Sequence, residues 1–361
     1  MYAKKNFNVK KLLKILGIVI GSVLGLVILF FFFIMITEFK PEDRTAVDVE
    51  GDDAEFDKDY FDIVTLNTGY AGLSEDMDFF MDGGEGVNPK SKEQVQDNIA
   101  GINNILDLFE PDFYFLQEVD KDSSRSYHLD ETAAFKSSYN TRTYAQNYVC
   151  SWVPYPMPMI GAVDSGIMTL SKHKISSAER ISLPNNISWP KSMFMLKRCM
   201  LVTRVPIKGS EKELVLVNFH LEAYDTDETK EQQNNIVMNL IKSEYEKGNY
   251  VVAGGDFNMN FPGMTKQLPY IEGDQIWRPG KLTLDMLPEG FSFAYDTSVP
   301  TCRALDKPFE GLTENQLYAL DGFVYSPNLE VELVLAINCN FKFTDHNPVY
   351  MRIRFKDEGN S

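Results

Sequence analysis

Short runs of apolar residues recur along the chain from residue 61 onward. Several of them are continuously apolar, as strands covered on both faces of a sheet tend to be. The runs that we predict to be strands are 61–67, 112–119, 166–172, 200–207, 213–221, 250–258, 318–326 and 349–355. This part of the chain is therefore predicted to be rich in β-structure.

Two longer stretches instead carry apolar residues at helical spacing. They are residues 91–109, with Val95, Ile99 and Ile102 on one face, and residues 227–246. A repeat of 3.6 residues is typical of a helix that packs one side against a core. Since strands outnumber helices and follow one another as in hairpins, the pattern favours two mixed sheets flanked by helices over a simple doubly wound sheet.

The amino-terminal part consists of one long uncharged run from Ile15 to Ile36. At 1.5 Å per residue a helix of this length spans roughly 30 Å, the hydrocarbon thickness of a bilayer. Five lysines precede the run and mainly acidic residues follow it, so the positive-inside rule places residues 1–14 in the cytoplasm. A cleaved signal peptide would have a shorter apolar region that ends in small residues, whereas this run ends in FFFFIMIT. We therefore predict a single-pass membrane anchor at residues 15–36.

The anchor leaves two further parts of the chain. Residues 37–56 are polar and acidic and are predicted to form a stalk, and residues 57–357 are predicted to form one domain. A domain of that length can bury a sizeable core between two sheets. The predicted location is the cell membrane, with the domain on the extracytoplasmic side.

The whole chain of 361 residues has a formal net charge of −17. Proteins that bind duplex nucleic acid through many phosphates usually have a basic face, so charge does not favour nucleic acid as a partner. Four widely spaced cysteines without a CxxC pair argue against a structural zinc site. Neither charge nor composition implies a protein partner.

Polar residues stand repeatedly at the carboxyl ends of the predicted strands. A strand end is rigid but open to solvent, so it can hold a preorganised site. Acids, amides and imidazoles gathered there suit a hard, oxygen-liking cation and a phosphate. The residues concerned are Asn67, Gln117, Glu118, Asn218, His220, Asp256, Asn258, Asp321, Asp345 and His346.

Seven segments between residues 61 and 355 resemble, in order, the motifs of the endonuclease/exonuclease/phosphatase superfamily. They are TLNTGYAG, FLQEVD, SGIMTLSKHKI, VNFHL, GGDFNMN, LDGFVYS and TDHNPVYMRI. That superfamily includes pancreatic-type deoxyribonucleases, inositol-polyphosphate phosphatases and bacterial sphingomyelinases. The resemblance implies an α+β fold, a four-layer αββα sandwich preceded here by one transmembrane helix. It also implies a metal-dependent phosphoesterase with Mg²⁺, or alternatively Mn²⁺, as cofactor.

The resemblance assigns the metal to three residues. Glu118 is implied as the principal Mg²⁺ ligand, Asn67 as a neighbour on the metal or the phosphate, and Asp345 as a further metal-side acid. Carboxylate and amide oxygens are suitable ligands for such an ion. Nucleases of the superfamily often carry an acid two residues after the asparagine, where this chain has Gly69, so the number of metals stays open.

The resemblance also implies the catalytic residues. Asp256 would orient or deprotonate the attacking water, and Asn258 would donate to phosphate oxygens. His220 and His346 would contact the scissile phosphate, with Asp321 holding the tautomer of His346.

Three further residues are weaker candidates. Arg303 could hold phosphate through two parallel hydrogen bonds, and Asn218 could bind phosphate, orient groups near His220 or make a strand-end hydrogen bond. Arg198 could steady phosphate or be an ordinary surface residue. The acidic, glycine-rich loop at residues 72–89 is either functional or a solvated insertion.

The expected reaction is in-line attack of water on a phosphodiester or phosphomonoester at the outer face of the membrane. The anchor and the acidity favour a lipid or a small organic phosphate, although the sequence shows no obvious hydrophobic hairpin for lipid extraction. An extracellular nuclease is the first alternative. A catalytically inactive binding module is the second, and the presence of all the main metal and base residues argues against it.

Overall fold

Two seven-stranded mixed sheets form the body of the protein. The structure is a computed structural model that describes residues 9–136, 138–263, 268, 270–273 and 276–356. Residues 1–8 of the predicted cytoplasmic tail and residue 357, the predicted end of the domain, lie outside this description.

The first sheet has the strand order β1-β7-β8-β9-β10-β16-β13. Its strands are β1 (Arg44–Val47), β7 (Ser177–Ser182), β8 (Cys199–Pro206), β9 (Glu213–His220), β10 (Tyr250–Asp256), β16 (Asp321–Tyr325) and β13 (Ser292–Ala294). The second sheet has the order β17-β18-β3-β4-β6-β5-β2. Its strands are β17 (Leu329–Ala336), β18 (Val349–Phe355), β3 (Tyr60–Asn67), β4 (Phe113–Asp120), β6 (Gly161–Ser171), β5 (Thr141–Val153) and β2 (Val49–Glu50).

Two pairs of very short strands, four α-helices and four short 3₁₀ helices complete the described elements. The 3₁₀ helices are Gly69–Ala71, Phe80–Asp82, Lys191–Phe194 and Leu284–Met286. The short strands are β11 (Met259–Asn260), β12 (Gly280–Lys281), β14 (Cys302–Arg303) and β15 (Leu317–Tyr318). The helices are α1 (Val9–Ile36), α2 (Lys92–Leu106), α3 (Glu131–Ala134) and α4 (Asp227–Glu246).

The apolar core lies in three layers, one between the two sheets and one on the outer face of each sheet. A central cluster, with Phe61, Phe115 and Leu216 among its members, fills the space between the sheets. The outer face of the first sheet packs against α4 through Val237, and the outer face of the second packs against α2 through Ile102. This arrangement confirms the predicted four-layer αββα sandwich, because each amphipathic helix covers one outer sheet face.

Both predicted helices form within the domain. Ser91 caps α2 by accepting a hydrogen bond from the Gln94 backbone N–H, and Thr226 caps α4 through the Thr229 N–H. Such caps satisfy N–H groups that have no partner inside the helix. The predicted helix 91–109 ends earlier, at Leu106, where the chain turns into the strand that begins at Phe113.

The segment predicted as a stalk contributes strands to both sheets. Arg44–Val47 pairs antiparallel with β7, and Val49–Glu50 pairs antiparallel with β5. Only residues 37–43 therefore separate α1 from the first paired strand. The division of the chain at residue 57 remains a prediction, but residues 44–50 pack as part of the sandwich.

Helix α1 is long and apolar enough to cross a membrane, with a mean hydropathy of 3.0 over its most apolar window. Most of its side chains are exposed in the protein. Its last turns are the exception: Ile34 is buried, and the rings of Phe30 and Phe31 lie 6.4 and 6.3 Å from the ring of Phe194.

Candidate active site

The carboxyl ends of four strands hold part of the predicted site. Asp321 lies instead at the start of β16, and Asp345 and His346 lie in the connection before β18, so the prediction of a carboxyl strand end is wrong for these three residues. In the second sheet, β3 and β4 are parallel, and Asn67 is paired in register with Gln117. In the first sheet, β9 and β10 are parallel, and Asp256 is paired with His220. Because parallel strands end at the same edge of a sheet, the carboxyl ends of both pairs open into one cleft.

Asn67 connects the two sheets at this edge. Its Nδ2 donates to Glu118 Oε1 at 3.0 Å and to Asp256 Oδ2 at 3.1 Å. Its Oδ1 accepts from the Gly69 N–H at 3.0 Å, which fixes the orientation of the amide. The predicted metal ligand and the predicted base therefore share one amide donor.

A bulge in β4 directs Glu118 into the cleft. The pairing of β4 with β6 shifts register between Leu116 and Val119, and Glu118 has a φ of 52°. A positive φ is uncommon for a residue with a side chain, and such bulges often direct side chains next to active sites. Behind Glu118, Arg125 makes two hydrogen bonds to the buried Asp120 carboxylate.

A tight backbone approach precedes Asp256. Gly255 has a φ of +140°, and a Cβ there would lie 2.0 Å from the Phe219 carbonyl oxygen, so the position requires glycine. The Asn258 N–H donates to Asp256 Oδ1 at 2.8 Å and fixes the carboxylate. The Asn258 side chain lines the cleft and also donates to the Leu221 carbonyl at 2.9 Å.

His346 lies within a cage of acids. Its Nδ1 is 2.9 Å from Asp321 Oδ2, and its Nε2 is 3.7 Å from Asp256 Oδ2 and 3.9 Å from Asp345 Oδ2. Burial alone would lower the pKa of His346, but the Asp321 carboxylate, with Cys302 and Asp345, raises it well above its ordinary value. The Asp321 contact fixes the ring orientation as the sequence predicts.

His220 differs from His346 in its protonation. Burial, followed by the Arg198 and His346 charges, lowers the pKa of His220 well below its ordinary value. Its Nε2 lies 3.5 Å from Asp256 Oδ2, and its Nδ1 is buried without a hydrogen-bond partner among the described residues. The neutral ring can therefore still accept or donate one hydrogen bond in the cleft.

Three carboxylates of the cleft form no ion pair with a lysine or arginine among the described residues: those of Glu118, Asp256 and Asp345. His346 is the cationic neighbour of Asp256 and Asp345. Burial raises the pKa of Glu118, and the neighbouring Asp345 carboxylate raises it further. Burial likewise raises the pKa of Asp345, and it raises the pKa of Asp256 to about 7 despite His346. Three carboxyl groups with raised pKa values form a set of hard oxygen donors, which fits a divalent cation.

Two overlapping groups have ligand atoms within 4.8 Å of one another: Asp256, Asp321 and His346, and Cys302, Asp345 and His346. Glu118 belongs to neither group. Among the described residues, its carboxylate accepts a hydrogen bond from Asn67. The Asn67 amide lies between the Glu118 and Asp256 carboxylates and donates to both. It therefore separates two groups whose like charges would repel each other.

The structure does not bring Arg303 and Asn218 into the cleft. The Arg303 guanidinium is buried and donates to the carbonyls of Ser74 and Met77 at 2.8 and 2.9 Å. Asn218 lies between the sheets, where its Oδ1 accepts from Gln117 Nε2 at 2.7 Å and its Nδ2 donates to the Met168 carbonyl at 2.9 Å. Arg303 thus satisfies internal carbonyls, and Asn218 makes hydrogen bonds near the end of its strand, which was one of the alternatives that the sequence left open.

Arg198 is not a surface residue. It is buried at the wall of the cleft, donates to Glu222 Oε2 at 3.0 Å, and donates to the His220 carbonyl at 3.2 Å. Its charge is thus neutralised by Glu222 while it holds the end of β9 in place.

The cleft itself has a volume of about 510 Å³ and extends well beyond the polar residues. The acidic loop 72–89 contributes to its wall with residues 79–82, and buried Asp82 accepts a hydrogen bond from Tyr224 at 2.8 Å. Burial raises the pKa of Asp82 to about 6. Neither Asp82 nor Tyr224 belongs to one of the sequence motifs. Only the acidic, glycine-rich composition of the loop could have indicated this part of the cleft wall.

Comparison with known proteins agrees with this architecture. The sequence model described as Endonuclease/Exonuclease/phosphatase family matches residues 64–346. No curated protein matches the chain.

Three solved structures illustrate the likeness. The endonuclease/exonuclease/phosphatase from Beutenbergia cavernae DSM 12333 is 16% identical with a TM-score of 0.56, over 83% of this chain and 72% of that one. The endonuclease/exonuclease/phosphatase from Bacteroides vulgatus is 16% identical with a TM-score of 0.53, over 83% and 100%. ANGEL2, described as a 2′,3′-cyclic phosphatase, is 16% identical with a TM-score of 0.53, over 86% and 99%.

At this identity the solved structures support the fold alone, whereas the family match spans most of the sequence and includes the residues gathered in the cleft. The chain therefore belongs to the endonuclease/exonuclease/phosphatase family.

Proposed function

We propose that this chain is a metal-dependent phosphoesterase that hydrolyses a phosphodiester or phosphomonoester by in-line attack of water. One observation carries the proposal: three carboxylates and two buried imidazoles converge on one cleft, from strand ends in both sheets and from the connection before β18. A structural ion-pair network would pair such acids with arginine or lysine, whereas the described neighbours of these acids form no such pair with them and include the Asn67 amide and both histidines.

Glu118 and Asp345 are the residues that would hold the cation, which we propose to be Mg²⁺ with Mn²⁺ as an alternative. Asn67, the third metal-side residue expected from the sequence, turns its Nδ2 toward the Glu118 and Asp256 carboxylates and would orient them. When bound, such an ion polarises a phosphate oxygen and neutralises charge on the leaving oxygen. The raised pKa values of both carboxyls fit this role, because a bound cation would stabilise their ionised forms.

Asp256 is the proposed base and orienting group for water. Its Oδ1 accepts the Asn258 N–H, and its Oδ2 lies near both imidazoles. A carboxylate whose pKa is raised toward neutrality is suited to accept a proton at physiological pH.

The two histidines and Asn258 are proposed to stabilise charge on the phosphoryl oxygens. His346, held by Asp321, would supply a cationic N–H donor, while His220 would supply a neutral one. Donors fixed before the reaction starts stabilise the transition state without reorganising.

We propose that the reaction takes place at the outer face of the membrane on a lipid or small organic phosphate. The apolar helix and the acidity support this assignment. An extracellular nuclease is less favoured, because two basic residues that are close together in the sequence, Lys197 and Arg198, are already paired with Glu38 and Glu222. The intact set of acids argues against an inactive binding module.

The test is turnover by the purified full-length chain in detergent. Bis(p-nitrophenyl) phosphate, plasmid DNA, RNA, sphingomyelin and inositol phosphates are compared with and without added Mg²⁺. We expect metal-dependent hydrolysis of at least one substrate, and loss of that hydrolysis in Asp256→Asn. Binding of these compounds without any turnover in the presence of Mg²⁺ or Mn²⁺ would instead support the inactive module.

A further inference from the structure

An apolar rim surrounds one side of the cleft. We define the rim as residues 152–159 and 187–189, whose sequences are WVPYPMPM and ISW. Three of its side chains are unusually exposed for apolar residues: Tyr155 at 72%, Met157 at 73% and Trp189 at 69%. The two segments both reach the cleft, through Tyr155 and Ile187, and exposed apolar side chains grouped around a cleft indicate a binding surface.

The rim is continuous with the cleft. Tyr155 lines the cleft while most of its surface faces solvent, and its ring lies 6.3 Å from the ring of Phe80 on the opposite loop. Val153 and Ile187 also belong to the cleft wall. A long apolar group bound in the cleft would therefore emerge between the rim side chains.

The base of the rim packs against the end of the apolar helix. Phe194 lines the cleft and packs on the cluster that includes Val153 and Ile160. Phe30 and Phe31 of α1 contact the same ring. One aromatic side chain thus joins helix, rim and cleft.

The helix contact defines a depth. Phe30 and Phe31 precede the end of α1 at Ile36 by six and five residues, which corresponds to about 8 Å along the helix axis. Glu38, two residues beyond the helix, forms ion pairs with Lys40 and Lys197 and belongs in water. With α1 in a bilayer, Phe194 would lie just inside the outer boundary of the hydrocarbon, close to the headgroup interface where tryptophan and tyrosine side chains are favoured.

We propose that the rim contacts the outer leaflet beside the anchor, and that the site hydrolyses a phosphate ester of a lipid held in that leaflet. This inference rests on the proposed phosphoesterase function. The phosphate would reach the carboxylates and imidazoles at the inner end of the cleft, and the apolar part would lie along Leu73, Phe79 and Ile160 toward the rim. The two apolar segments of the rim would supply the membrane contact, although the sequence shows no obvious hydrophobic hairpin.

Water is the only co-reactant that this hydrolysis consumes. The water oxygen forms a bond to phosphorus, the bond from phosphorus to the leaving ester oxygen breaks, and the water proton passes through the base to that leaving oxygen. The products are an alcohol and a phosphate with one ester bond fewer. No oxidant or reductant takes part.

The test uses the full-length chain reconstituted into phosphatidylcholine vesicles. Separate vesicle preparations contain phosphatidic acid, phosphatidylglycerol or sphingomyelin, and product analysis gives the rate for each lipid. Bis(p-nitrophenyl) phosphate added outside the vesicles measures the same site without a membrane substrate. The rim variant combines Met157→Ser and Trp189→Ser, which lie outside the cleft lining, and the matched control is Leu108→Ser, an exposed apolar residue outside the rim.

We expect the rim variant to hydrolyse the preferred vesicle lipid at no more than about a tenth of the wild-type rate, because two apolar side chains no longer enter the interface. Its rate on the soluble ester should stay within about twofold of wild type, as should both rates of the control. Brominated phosphatidylcholine should quench the fluorescence of the wild-type chain more than that of Trp189→Phe.

Two failures can be told apart. Metal-dependent turnover of the soluble ester, combined with equal lipid rates in rim variant and wild type and no Trp189-dependent quenching, would overturn the rim proposal and leave the phosphoesterase intact. Quenching by brominated lipid without turnover of any substrate would overturn the phosphoesterase, and with it the lipid substrate. Hydrolysis of the soluble ester but of none of the three lipids would also overturn the inference.

Discussion

Replacing Arg303 with methionine should destabilise the domain rather than weaken phosphate binding. The guanidinium donates to the carbonyls of Ser74 and Met77, and a third bond of 3.2 Å reaches the Lys307 carbonyl. Hydrogen bonds from a charged donor contribute roughly 1.5 to 3 kcal/mol each, but burying the charge offsets part of that sum. Burial indeed lowers the pKa of Arg303. We expect the free energy of unfolding to fall by about 3 kcal/mol.

Urea unfolding of the full-length chain in detergent measures this loss, and kinetics on bis(p-nitrophenyl) phosphate measure KM. Arg303→Lys keeps the charge but not the planar fork, so its stability should lie between those of the wild type and Arg303→Met. Arg142→Met is the matched control, because Arg142 also donates to two backbone carbonyls, those of Thr132 and Tyr139. Wild-type stability of Arg303→Met with a KM raised about tenfold would refute the reasoning and restore a phosphate-binding role.

Three further outcomes are expected. Glu118→Gln should lower kcat at least about a hundredfold with an almost unchanged melting temperature, and chelation should abolish wild-type turnover until Mg²⁺ is restored; activity that survives both treatments contradicts a metal role. Asp321→Asn should lower kcat about 10- to 100-fold with partial recovery in Asp321→Glu, and unchanged kinetics would remove this acid from the site. Burial raises the pKa of Asp112, but hydrogen bonds from His173 and Lys58 outweigh it and lower that pKa to about 2. The Asp112 carboxylate should thus contribute about 2 kcal/mol above pH 4, lost as pH falls toward 2, so urea unfolding of Asp112→Asn and wild type should differ at pH 7 and converge in acid.

The fold followed from local patterns wherever one face of an element is buried. Helix α4 could be predicted to its terminal residues, because its apolar spacing and the Thr226 cap both act within a few residues. The strand-end acids could be predicted to meet because pairing in register, as of Asp256 with His220, carries neighbouring ends to the same edge.

Other features depend on contacts between distant parts of the chain. Residues 44–47 form an edge strand whose side chains are largely exposed, so no alternation marks it. Arg303 donates to four backbone carbonyls. Two of them, in Ser74 and Met77, lie more than two hundred residues before it in the sequence, whereas those of Ala304 and Lys307 follow it closely. The bulge at Glu118 arises from mismatched pairing with β6, which a single strand sequence cannot encode.

The short connection between α1 and β1 sets the working range of the enzyme. Seven residues, 37–43, can extend over at most about 25 Å. With the helix in a bilayer, the domain would stay within that distance of the membrane surface. It would therefore search for substrate in two dimensions. The surface density of a membrane-held substrate, rather than its bulk concentration, would then govern the encounter rate, and a freely diffusing substrate would gain nothing from the tether.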